Sequence, residues 1–301
     1  MVHAHVAANC GNHLIVGVSP SDESAFTSND PGHCVLPTVV LPRYWQNVGV
    51  TLASPPSTRI QLCGQTVFER NGDRLDNRLP GRQGRLLFAY LVVNRHRQTT
   101  RDQLVEILWP GKPPSSSEVG LNALISKLRK TLGSGVLAGR SSLHLQLDKD
   151  ARVDVEVAEE AVHRAESQLA LNEWKRAWGP SLAALFIARR EFLPGEEAPW
   201  IDEERRHLAD VRIRALEAYA SAALGTGGTE LPAAVRAAQQ LVREVPLRES
   251  GYQLLMRALA CQGNVAEALR VYSDLCRLLG DELGVSPSSA TQAVYDDLVT
   301  P

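Results

Sequence analysis

Glu118-Val119-Gly120-Leu121-Asn122-Ala123-Leu124-Ile125-Ser126-Lys127-Leu128-Arg129-Lys130-Thr131-Leu132-Gly133 is the stretch whose reading decides the fold. At 100° per residue, Leu121, Leu124, Ile125, Leu128 and Leu132 fall on one face, the stripe of a helix packed on a core. Gly133 is a natural C-terminal stop. The opposite side carries Asn122, Ala123, Ser126, Lys127 and Lys130, with Arg129 on a flank and no acid after Glu118. Small residues permit close approach, lysine and arginine meet phosphates or guanine edges, and asparagine and serine reach other base edges. An ordinary solvated face would use some of the same residues, so the neighbouring segments must decide.

Upstream, Thr100 followed three residues later by Gln103 forms a capping box for a short helix through Leu104, Ile107 and Leu108. Pro110-Gly111 stops it after Trp109, whose place beside Leu108 marks it as core, and Lys112 to Ser117 is a loop. Arg82 to Val93 repeats Leu86, Leu87, Tyr90 and Leu91 at helical spacing. Before it, Ile60, Leu62, Val67 and Phe68 lie in short strand-like runs, and Asn71-Gly72 signals a tight hairpin. Downstream, Val136-Leu137, a turn at Gly139-Arg140-Ser141 and alternating Leu143, Leu145 and Leu147 predict a second hairpin. Strands, three helices and a terminal hairpin, in that order, describe a winged helix-turn-helix with small β-sheets. Arg140 sits at the tip of the expected wing.

Charge is distributed to match. The chain of 301 residues has a net charge of −2, but residues 59–150 hold 15 Lys and Arg against 8 Asp and Glu. Residues 151–301 hold 16 against 23. A basic block beside an acidic one suggests a polyanion-binding unit joined to one with another task. Length points to about two domains, and 44% hydrophobic residues leave room for sizeable cores. The longest apolar run, Leu86 to Val93, is far below the ~20 residues a membrane helix needs, and no secretion signal is seen near Leu14 to Val18. Five scattered cysteines argue against a disulfide framework, so a reducing, cytoplasmic setting is expected.

Residues 1–58 hold no sustained period and are expected to be a disordered extension. Among His3, His5, Cys10, His13, His33 and Cys34 no spacing fits a zinc motif, and no metal is expected. Residues 151–301 read as helical throughout, with Asp154 to Leu171 first and a long helix from Trp200 to Leu224. Ala234, Ala238 and Pro246 correspond to Ala268, Tyr272 and Gly280 at nearly the ~34-residue spacing of a tetratricopeptide unit. Tyr252, Leu255, Leu259 and Gly263 complete the clearer copy. These are packing positions and carry no chemistry. Stacked helix pairs of this kind offer concave surfaces to other proteins.

Catalytic signatures are missing. Gly225-Thr226-Gly227-Gly228-Thr229 lacks the lysine and the strand–helix setting of a phosphate loop, so an inter-helix loop is expected there. There is no Gly-x-Ser-x-Gly elbow, no His-Glu-x-x-His and no paired Cys-x-x-Cys. Glu203-Glu204 and Asp296-Asp297 suit helix surfaces. Neither an enzyme nor a cofactor is expected.

Two runs, Leu104-Val105-Glu106-Ile107-Leu108-Trp109 and Leu124 to Gly133, resemble the OmpR-type winged-helix domain of Streptomyces antibiotic regulatory proteins. The second half resembles their bacterial transcriptional activator domain through Pro246-Leu247-Arg248-Glu249, Leu254 to Leu259, Gly263, Ala268-Leu269, Tyr272 and Glu282 to Pro287. The resemblance covers residues 59–300. It implies a mainly α protein: a winged helix over 59–150, then an all-α tetratricopeptide-like domain over 151–301. It further implies a pathway-specific activator of secondary-metabolite genes that binds direct repeats near a promoter as a homodimer and recruits RNA polymerase. The recognition-helix positions correspond to Asn122, Ser126, Lys127, Arg129 and Lys130, the wing to Arg140 and His144, and the polymerase-contacting loop to Pro110 through Ser117. No receiver domain accompanies the resemblance, so control by aspartate phosphorylation is not expected. A repressor using the same DNA-binding unit, and a protein-interaction scaffold built on the repeats, are the competing readings.

Overall fold

Antiparallel pairing of β1 (Thr58–Gln61) with β2 (Val67–Arg70) sets Thr58 opposite Arg70 and Gln61 opposite Val67. The structure, a computed structural model, describes residues 56–111, 113–133 and 135–300. The extension expected over residues 1–58 and the histidines and cysteines weighed there lie outside the described residues, apart from Pro56, Ser57 and Thr58. The chain reverses from β2 into β3 (Asp73–Arg74) through Asn71 and Gly72, at φ 51° and 84°. Two successive positive φ values are what a tight I′ turn demands, and Asn-Gly supplies them at least cost. On the other side β7 (Arg152–Val153) joins β1 in parallel, so the sheet order is β3-β2-β1-β7.

Helix α1 (Gly81–Val93) lays Leu87, Phe88, Leu91 and Val92 into the core, with the Phe88 ring 4.8 Å from that of Phe68. Strand β4 (Thr99–Thr100) leads into α2 (Arg101–Leu108), where the expected capping box of Thr100 and Gln103 is formed in full. Helix α3 runs Ser117–Leu132, and Gly133 closes it at φ 90°. Its buried residues are Leu121, Ile125, Leu128 and Leu132, with Leu124 packed at the margin, the stripe drawn from the sequence. Trp109 packs at the edge of the same core. Strands β5 (Leu137–Ala138) and β6 (Ser142–Leu145) form the second hairpin, and β4 adds to it in the order β4-β6-β5.

From Asp154 onward the described chain is helical: α4 (Asp154–Ala170), α5 (Trp174–Ala188), α6 (Pro199–Thr226), α7 (Leu231–Glu244), α8 (Glu249–Cys261), α9 (Val265–Leu283) and α10 (Ser289–Val299). The molecule is thus mainly helical with two small sheets. Each helix packs on its predecessor, and the long α6 touches α4, α5, α7 and α8. The first residues of α7 and α9, Leu231 and Val265, have the ~34-residue offset of the repeat. Ala234, Ala238 and Ala268 are buried, and close helix approach depends on their small size. Gly225, near the end of α6, lies against the Trp174 indole, where a Cβ would overlap the ring. The glycine-rich run therefore serves helix packing and the exit from α6.

One core joins both sides of residue 150. It includes Ile60, Phe68, Phe88 and Leu128 together with Val153, Val155, Phe192 and Ile201. Trp200 stands edge-on to Tyr90 at 5.3 Å and to Phe192 at 6.0 Å. The Asp154 carboxylate, opening α4, accepts the backbone N–H groups of Leu62 and Cys63, both at 2.9 Å. Burial pushes this carboxyl above the ordinary range, against the pull of those donors and of Arg190. Burial likewise drives the Cys63 thiol strongly upward, so it stays neutral as a small apolar side chain. Arg95 grips Glu156 with a two-pronged contact at 2.6 and 2.7 Å, and Arg82 reaches Glu196 at 2.6 Å. A continuous core bordered by such contacts holds the sheets and α1–α3 firmly on α4 and α6.

Candidate nucleic-acid interface

Helix α3 is presented by its buried leucine stripe, and the packing of that stripe dictates which residues face out. Asn122, Ala123, Ser126, Lys127, Arg129 and Lys130 are all exposed. Its C-terminal end is fixed by Arg70, whose Nη1 donates to the Leu132 carbonyl at 2.7 Å, and by Thr131 Oγ1, which donates to the Arg78 carbonyl at 3.0 Å. A cation here also suits the negative end of the helix dipole. Lys127 and Lys130 pair with no carboxylate among the described residues, and Glu118, the nearest acid on α3, is held by Arg101 at 3.4 Å. Both ammonium groups are therefore available to an outside anion.

The hairpin β5–β6 stands beside α3, and Arg129 fastens it there. Its Nε donates to the Leu137 carbonyl at 3.2 Å, and its Nη2 donates closely to the Gly139 carbonyl. Gly139, at φ 95°, turns so tightly that a Cβ would overlap the Ser142 carbonyl oxygen. Arg140 is exposed at the tip. His144 lies on the outer face of β6, half-buried, with Gln146 Nε2 2.9 Å from its Nε2. The amide can only donate there, so that ring nitrogen accepts.

Arg101 is the residue that sequence reasoning missed. It opens α2, and its guanidinium donates to Asn122 Oδ1 at 2.5 Å and to the Arg140 carbonyl at 3.3 Å, linking α2, α3 and the hairpin. Arg101, Asn122, Ser126, Arg129 and Arg140 line a shallow cleft of about 380 Å³. A signal was present: a cation at the first position of a helix opposes the dipole and needs another reason to be there. Asn122 is consequently engaged through Oδ1 while its amide N–H groups stay available as donors. The structure thus brings the α3 residues and Arg140 onto one surface, gives Arg129 internal partners, and leaves His144 on the outer face of the adjoining hairpin.

Comparison with known proteins places the chain. Residues 153–299 match the bacterial transcriptional activator domain. The regulatory protein AfsR of Streptomyces coelicolor is 33% identical over 242 residues, 80% of this chain and 24% of AfsR. The transcriptional regulator RedD of the same organism is 31% identical over 239 residues, 71% of this chain and 63% of RedD. The chain spans about a quarter of AfsR. The transcriptional regulatory protein EmbR of Mycobacterium tuberculosis, solved in complex with a low-affinity phosphopeptide, superposes with a TM-score of 0.68. That match has 24% identity and covers 81% of this chain and 65% of that one, a likeness of fold. No helix among the described residues is long and apolar enough to cross a membrane. A bacterial transcriptional activator domain behind a basic helix-and-hairpin unit, together with the likeness to AfsR and RedD, is consistent with the Streptomyces antibiotic regulatory protein family.

Proposed function

We propose that this protein is a sequence-specific DNA-binding transcriptional activator, with residues 59–150 as a winged-helix domain and 151–301 as a tetratricopeptide-like activator domain. The observation that carries the reading is the exposed face of α3, where Lys127 and Lys130 stand free of carboxylates beside a fastened hairpin. In this reading α3 enters the major groove. Asn122 and Ser126 face base edges, Lys127 and Lys130 meet phosphates, and Arg140 and His144 reach the backbone from the wing. Arg129 acts by holding the wing against α3. Family relatives named as transcriptional regulators support the role in gene expression. The target is a pair of direct repeats in the promoter of a secondary-metabolite cluster, occupied by two copies, with the loop Pro110 to Ser117 toward RNA polymerase.

Footprinting on promoter fragments near the gene, coupled to transcription in vitro, tests this. Two protected direct repeats with increased transcript support the activator. Protection with decreased transcript identifies a repressor. Uniform weak binding with no protection leaves the helical repeats as the functional surface, which is the scaffold reading.

A further inference from the structure

A second basic surface lies away from α3, where the edge of the first sheet meets α4 and the end of α5. Arg59, Arg152 and Arg190 surround a groove of about 450 Å³ whose apolar lining includes Val157, Phe186 and Ile187. Phe186 is 49% exposed, and Leu182, one turn earlier on the same helix, is 36% exposed. An exposed phenyl ring flanked by another apolar side chain is unusual on a helix that could have buried both. Arg189 and Arg190 hold their guanidinium groups 5.3 and 5.4 Å from the Phe186 ring centre, which fixes the ring's surroundings as cationic.

The guanidinium groups around the groove are poorly matched among the described residues. The carboxylates nearest Arg59, Arg152 and Arg190 are Glu69 at 3.7 Å, Glu160 at 4.0 Å and Asp154 at 3.9 Å. All three distances exceed a good charged hydrogen bond. Among the described residues Asp154 is the one carboxylate that lines the groove, and it is already committed to the backbone N–H groups of Leu62, Cys63 and Val155. Arg190 Nε is buried without a hydrogen-bond partner among the described residues. Arginine is the cation best suited to gripping carboxylates with both prongs and to stacking on an aromatic side chain at the same time.

We propose that this groove docks an acidic peptide segment of a protein partner, with a phenylalanine or leucine of the segment seated against Phe186 and its carboxylates on Arg59, Arg152 and Arg190. Charge complementarity selects the occupant: three under-paired guanidinium groups call for anions, and the apolar floor calls for a side chain that duplex DNA lacks. The groove shares no residue with the α3 face, so the proposal stands independently of the DNA-binding reading.

The test uses the full chain and a fluorescein-labelled twelve-residue peptide of alternating Asp or Glu with Phe or Leu, followed by anisotropy. Its control is the same peptide with Asn and Gln in place of the acids. The wild-type chain is expected to bind the acidic peptide at least ten-fold better than the amide peptide. Arg59→Ala/Arg152→Ala and Phe186→Ala are each expected to weaken binding at least ten-fold, whereas Lys127→Ala/Lys130→Ala leaves it unchanged. The altered side chains are solvent-exposed, and unchanged circular dichroism and melting will show that the variants fold. Equal binding of the two peptides, or binding indifferent to both groove variants, overturns the proposal. Displacement of the peptide by a random duplex assigns the groove to DNA and overturns it too. Self-association of the chain that Phe186→Ala abolishes, without peptide binding, assigns it to a second copy instead.

Discussion

Arg129 offers the sharpest test of what the structure adds to the sequence. From the sequence it is a flank residue of the helix expected to face DNA. In the structure its guanidinium is spent on the carbonyls of Leu137 and Gly139, pinning the hairpin to α3. Hydrogen bonds from a charged donor contribute about 1.5–3 kcal/mol when shielded, and solvent exposure here reduces each to roughly 1 kcal/mol. Losing both by Arg129→Ala therefore costs about 2 kcal/mol of hairpin ordering, which DNA binding must then supply. At ~1.4 kcal/mol per factor of ten, affinity falls roughly thirty-fold. The assay is a DNA titration at several salt concentrations, with thermal unfolding alongside. A positioning role leaves the log–log salt slope unchanged, and Arg129→Lys fails to restore affinity because an ammonium cannot span both carbonyls. A slope lowered by about 0.9 in Arg129→Ala and restored in Arg129→Lys means that this side chain meets a phosphate, and refutes the reasoning.

Other outcomes follow from the packing and the ionised groups. Gly225→Ala puts a methyl group into the Trp174 indole. It should destabilise the chain by about 1–3 kcal/mol, read as a lowered Tm, with DNA affinity unchanged at low temperature. Arg95→Ala leaves Glu156 without its two-pronged partner in a site where both side chains are largely shielded. A cost of about 2 kcal/mol is expected in chemical denaturation, between the values for exposed and fully buried pairs. Glu249, at the start of α8, is desolvated, which raises its pKa, but Thr291 and the N–H and hydroxyl of Ser288 outweigh this and hold it below the usual glutamate range. A lowered folded pKa contributes stability above the unfolded value of about 4.3 and loses it as pH falls through the folded one. Wild type should thus exceed Glu249→Gln in stability at neutral pH, and the gap should close in acid; a gap independent of pH would contradict the assignment.

Much of this was legible in the sequence because it is local. The α3 stripe, the Thr100–Gln103 capping box, the Asn71-Gly72 turn and the Gly133 stop each follow from a few consecutive residues. So does the exposure of Asn122, Ser126, Lys127 and Lys130, since burying one helical stripe exposes its opposite. What the sequence did not show depends on partners far along the chain. The grip of Asp154 on Leu62 and Cys63 crosses about ninety residues, and the parallel pairing of β7 with β1 brings a two-residue strand with no periodicity of its own into the sheet. The clamp of Arg129 on the hairpin and the bridge from Arg101 to Asn122 are likewise tertiary. Pro180 lies within α5, and a proline ordinarily argues against a helix interior, so local pattern alone sets no bounds for that helix. The Pro246 to Glu249 motif, seen first only as a family likeness, acquires a physical role: Arg248 pairs with Glu217 at 2.8 Å, and Glu249 anchors the start of α10.

The central claim is that the exposed lysines of α3 meet the phosphates of a specific DNA site, and the salt dependence of Lys127→Ala/Lys130→Ala measures it most directly. The titration uses the full chain, one promoter fragment from the gene's neighbourhood and a shuffled fragment of equal length. The account predicts preference for the promoter fragment, reduced affinity in the double variant, and a log–log salt slope smaller by about 0.9 for each lysine removed. Unchanged affinity and slope in the double variant would contradict it, and would move the search for function to the helical repeats.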